Sequence, residues 1–213
     1  MSRARRRLST LALVAPTLLA AAAGHAQSPC FDPEAVPPWQ AQTVGVDSFG
    51  ASRPEGPPDG AEVAVCVESA GFTPLRDDFQ GLFQGADHTF EVEATLDELD
   101  PGAEAGLVLS RDPRRPEAAM LRVIAQRDLD GDVTVRAAFR AMEGGPASAL
   151  DSEAVPVELP VTLRLWRASG VAHTAIVTEN GLEPVLAVPV DGTDLEPKGS
   201  AGLAAASAVA AAL

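Results

Sequence analysis

The chain has 213 residues, a net charge of −14, 46% hydrophobic residues and 4% aromatic ones, with no tyrosine. A surface this acidic repels nucleic acid and anionic membranes, and it leaves cationic ligands or divalent ions as the charged partners it favours. The length suits a single domain with a sizeable core.

The N-terminus reads as an export signal. Arg3, Arg5, Arg6 and Arg7 form a positive start, Leu8 to Ala23 an apolar run broken by Pro16, and Gly24-His25-Ala26 a small-residue cleavage site. Residues 1–26 are therefore expected to be a cleaved signal peptide. The apolar run is shorter than the roughly 20 residues of a spanning helix, so no membrane span is expected. Gln27-Ser28-Pro29 before Cys30 is a poor lipidation signal. The expected mature chain, 27–213, loses four arginines and no acid, which moves the charge from −14 to −18. Its compartment is periplasmic or extracellular. The only two cysteines, Cys30 and Cys66, are expected to pair there. That bond would close a loop of about 35 residues and add a few kcal/mol in the chain-entropy model.

Residues 27–61 are rich in Pro, Gly and Ser and form an arm with one short strand expected near Gln40 to Val46. The body, 62–213, alternates apolar and polar residues with a period of two. Val63, Val65 and Val67 start the pattern, and Phe90, Val92, Ala94 and Leu96 give its cleanest run. Further strands are expected at Ala105 to Leu109, Leu121 to Ala125, Val133 to Phe139, Leu163 to Leu165 and Thr174 to Thr178. Asp100-Pro101-Gly102, Asp130-Gly131, Gly144-Gly145-Pro146, Asn180-Gly181 and Asp191-Gly192 supply turns between them. About ten short strands at regular spacing predict an all-β sandwich. Ala201 to Leu213 stays open between strand and helix, because alanine favours helix.

Five stretches in order carry a resemblance. Leu163-Arg164-Leu165-Trp166-Arg167 leads through Gly170 to Glu179-Asn180-Gly181. Trp39-Gln40 runs on to Val44-Gly45, and Asp77-Asp78-Phe79 to Phe83-Gln84. Ala105-Gly106-Leu107-Val108-Leu109 and Gly202-Leu203-Ala204 complete the set. Together they resemble the concanavalin A-like lectin/glucanase domains, in particular the bacterial laminin-G-like jelly rolls of the DUF1349 type. The resemblance spans nearly all of the mature chain and implies a two-sheet antiparallel jelly-roll sandwich. Three departures stand out. Ser110 replaces an arginine, Leu182-Glu183-Pro184 replaces a tryptophan, and the sequence reaches Leu213 without the family's closing strand. That missing strand is expected to leave a sheet edge open.

Candidate sites are few. Asp128, Asp130 and Asp132 stand at alternate positions around Gly131, as a calcium loop would have them. The spacing fails at the glycine and at the twelfth-position glutamate, so a hairpin tip is the competing reading. Trp166, with Arg164 and Arg167 beside it, is the candidate ligand-binding group, against core packing for the ring and salt bridges for the arginines. Glu98 to Glu104 lacks the carboxylate spacing of a glycosidase, and Glu91 with Glu93 shares one face without a third acid. His88 and His173 have no third ligand near them in sequence. The expectation is an exported, non-catalytic binding or adhesion module that recognises glycan or a protein partner through a sheet face or loops. It needs no cofactor, calcium aside. The alternatives are an assembly component pairing through an open sheet edge, and a divergent glycoside hydrolase.

Overall fold

The computed structural model describes residues 40–45, 49–55, 62–69, 71–75, 77–147, 150–196, 198–207 and 211–212. The signal peptide, Trp39 and the Cys30–Cys66 pairing fall outside what these residues describe. Sixteen strands and no helix occur among them. The first four are β1 (Gln40–Val44), β2 (Phe49–Glu55), β3 (Glu62–Glu68) and β4 (Gly71–Phe72). The body continues with β5 (Asp77–Ala86), β6 (Phe90–Leu96), β7 (Ala103–Ser110), β8 (Met120–Arg127), β9 (Val133–Arg140), β10 (Leu150–Asp151) and β11 (Val155–Val157). It ends with β12 (Val161–Ala168), β13 (Val171–Thr178), β14 (Gly181–Pro189), β15 (Gly199–Ser207) and β16 (Ala211–Ala212).

Two antiparallel sheets pack as a jelly-roll type sandwich. The larger runs β1-β5-β15-β7-β8-β9-β10, with β4 on β5 and β11 on β9. The smaller runs β14-β13-β12-β6, and a third set of three strands runs β16-β3-β2. The core lies between the two main sheets. Leu107, Leu109, Leu121, Val123 and Val135 face inward from the larger sheet, and Leu163, Leu165 and Ala172 from the smaller; all eight are 0% exposed. Strict alternation puts them there, since β12 buries every second residue.

The larger sheet is covered on its outer face as well. Val108, Met120, Ile124 and Ala204 point away from the main core and meet Phe79, Phe83 and Phe72 in a second cluster. Strands β7 and β8 are therefore buried on both sides. Of the alanine-rich stretch that stayed open in the sequence, residues 201–207 lie in strand β15, wedged between β5 and β7, and Ala211–Ala212 form β16; the rest lies outside the described residues. Tertiary pairing overrides alanine's helix preference here. The neighbours also demand small residues: a side chain at Gly202 would run into the Leu82 carbonyl oxygen, and one at Gly106 into that of Val123.

Candidate functional site

The DLDGD stretch is the tip of the β8–β9 hairpin, whose last register pair is Arg127 with Val133. Asp128 organises the turn. Its Oδ1 accepts N–H bonds from Asp130 (2.9 Å), Gly131 (2.8 Å) and Asp132 (2.9 Å). Gly131 adopts φ +101°, which a side chain would resist. Asp130 and Asp132 are exposed, as is Leu129 between the acids. Among the described residues, no three His, Cys, Asp or Glu side chains come together to hold a metal ion.

The second candidate is the outer face of the smaller sheet. Trp166 lies opposite His173 on β13 and Glu91 on β6. The indole and imidazole rings stack with centroids 4.8 Å apart and planes 9° from parallel. The Arg164 guanidinium stands 5.6 Å from the indole centroid and pairs with Glu91 at 2.6 Å. Glu93 lies across from Arg164 on the same strand pair. Trp166, Arg164, His173, Glu91 and Glu93 thus share one face, which is half-buried at the ring and polar around it.

Arg167 does not join them. One residue further along β12, it points inward and is only 2% exposed. Its guanidinium donates to the carbonyls of Leu195 (2.8 Å), His88 (3.1 Å) and Asp87, and the Phe90 ring lies 5.7 Å away. It ties the β5–β6 loop to the segment before β15. The sequence grouping of Arg167 with Arg164 around Trp166 is therefore corrected: a period of two separates them to opposite faces.

A third region went unnoticed in the sequence. On the outer face of the larger sheet, Asp77 is 0% exposed between two arginines. Its Oδ2 accepts from Arg140 at 2.8 Å, and its Oδ1 accepts from Arg122. Arg140, also 0% exposed, reaches the carbonyls of Pro116 and Ala118 at 3.1 Å each. Burial pushes the Asp77 carboxyl up, and the two guanidiniums pull it back. Beside this cluster opens a cleft of about 190 Å³, lined by Phe72, Glu104, Arg122, Gln126, Arg136 and Asp151 among others. The only advance sign was the phase of β8 and β9. Arg122, Gln126, Arg136 and Arg140 fall at positions alternate to the core residues.

Glu104 lines that cleft and accepts the Phe72 N–H at 3.2 Å. Burial pushes its carboxyl above its ordinary value, against the pull of that bond and of Arg122. Its folded value lies above its unfolded one, near 4.5. Folded chains therefore hold the proton more tightly, and stability falls as pH rises through the folded value. The Glu104→Gln variant is expected to melt higher than wild type at pH 7. The gap should close as pH falls toward 4.5 and Glu104 takes up its proton. Melting curves at matched pH test this, and a gap independent of pH would refute it.

No family model, no curated protein and no solved structure matches this chain.

Proposed function

We propose that the protein is an exported, non-catalytic binding module of the concanavalin A-like, laminin-G-like kind that recognises glycan through the outer face of its smaller sheet. The observation that carries this reading is the Trp166–His173 stack framed by the Arg164–Glu91 pair. An indole already packed on its neighbour loses little rotamer freedom when a ligand arrives, which favours binding. Arginine, glutamates and histidine beside it offer donors and acceptors for hydroxyl groups. Periplasmic or extracellular residence follows from the charged start, apolar run and small-residue site of residues 1–26, and the Cys30–Cys66 bond belongs to that compartment.

The test is a glycan array probed with the exported chain, followed by titration of the best ligand. Binding is expected to weaken about tenfold or more in Trp166→Ala, the scale of one lost aromatic contact. A blank array with folded protein, or equal affinity in the variant, would sink the reading.

One observation favours a second reading, assembly with another chain. Among the described residues, β1 ends the larger sheet, while β6 and β14 end the smaller one. β6 carries neither proline nor glycine, and such an edge can accept a further strand. Sedimentation showing a monomer at high concentration would count against it.

A further inference from the structure

We propose that the cleft on the outer face of the larger sheet is a binding site for one neutral sugar ring. This site lies on the opposite side of the sandwich from Trp166 and does not depend on the function assigned to that face. Its size is the first argument. About 190 Å³ falls below the few hundred Å³ of a drug-sized pocket, so it fits a single ring with its hydroxyls rather than a longer segment.

Charge is the second argument. Two guanidiniums, Arg122 and Arg136, face two carboxyl groups, Glu104 and Asp151. They cancel, on a molecule that is otherwise strongly acidic. The cleft therefore selects for hydrogen-bonding capacity, with donors and acceptors interleaved, and not for a charged group. A neutral polyhydroxylated ring matches that pattern.

The third argument is that some groups are fixed and others are ready. Arg122 is anchored on Asp77 and lies 5.0 Å over the Phe72 ring, which itself stacks on Phe79 at 5.1 Å. Glu104 is anchored on the Phe72 N–H. These form a rigid apolar-backed wall. Arg136, Gln126 and Asp151 make no side-chain hydrogen bond or ion pair among the described residues, and all three are exposed. Register brings them together, since Arg136 lies opposite Ile124, and both Arg122 and Asp151 lie opposite Ala138. Arg122 and Arg136 are then diagonal neighbours, roughly 7–8 Å apart across the strand pair. A ring seated between them would give these groups hydroxyl partners in a site whose other half is already in place.

The experiment is an NMR titration of the full exported chain with methyl glycosides of glucose, galactose, mannose and N-acetylglucosamine, and with glucuronate as the charged arm. At least one neutral ring is expected to shift the Arg136 and Gln126 side-chain signals saturably. Affinity should fall about tenfold in Arg136→Ala and in Gln126→Ala, the scale of one charged or well-placed hydrogen bond, and stay unchanged in Trp166→Ala. Both substituted residues are exposed, and each variant's melting temperature confirms that it folds. No saturable shift with any neutral ring overturns the proposal. So does tighter binding of glucuronate than of every neutral ring, or affinity unchanged in both cleft variants.

Discussion

Replacing Asp77 with asparagine is expected to destabilise the fold by about 3–5 kcal/mol, the cost of removing one partner from a buried ion pair. Asparagine keeps the shape, so no cavity contributes; the loss is electrostatic. It leaves Arg140, 0% exposed, and Arg122, 12% exposed, without their counter-charge. Arg140 retains its carbonyl contacts to Pro116 and Ala118, but these do not neutralise it. For a protein of this length, the melting temperature should drop by roughly 6–20 °C. Urea denaturation checks the free energy directly. Replacing Asp77 and Arg140 together with apolar residues of similar volume should recover part of the loss, because the fully buried charge is then gone and only Arg122, 12% exposed, still lacks its partner. A single variant within about 0.5 kcal/mol of wild type would show that the cluster does not hold the outer face in place.

The second large effect is expected at Gly106 and Gly202. Each sits on a central strand of the larger sheet, where a methyl group would collide with the backbone of its neighbour. Overpacking a core usually costs about 1–3 kcal/mol, and a backbone carbonyl within a ladder yields less readily than a side chain. Gly106→Ala and Gly202→Ala should each cost about 3 kcal/mol or more, or yield no soluble protein. Gly85→Ala is the control: nothing lies within 4 Å of its added carbon, so a change below about 0.5 kcal/mol is expected. Chemical denaturation of the three variants side by side decides the matter. Parity between Gly106→Ala and Gly85→Ala would mean that the strands can spread apart at little cost.

Much of the sandwich was legible because its signals are local. Val133, Val135, Ala137 and Phe139 alternate in sequence and all face the core. Asp130-Gly131 and Asn180-Gly181 join strands that pair as hairpins. Asp128 shows how a local pattern can still be ambiguous: the carboxylate that suggests a calcium ligand also accepts three backbone N–H bonds of its own turn. What escaped the sequence was long-range. Asp77 meets residues 45 and 63 positions away, and no local spacing announces that encounter. Arg167 was separable from Arg164 by parity alone, yet the carbonyls that enclose it lie some 80 residues earlier and 28 later. The face carrying Trp166 was partly legible, because strand alternation set the ring opposite to Leu163 and Leu165. Its partner His173 could be found only once β12 and β13 were in register.

The position of β15 bears on how the molecule is built in time. This strand follows β5 and β7 by many residues in the chain, yet it occupies an inner place in the larger sheet, joining β5 to β7. Until residues 199–207 arrive, the early strands and the β7–β8–β9 meander are two separate pieces, each with an unsatisfied ladder edge. The sheet therefore cannot close before β15 has been made. Such late, distant pairing slows folding.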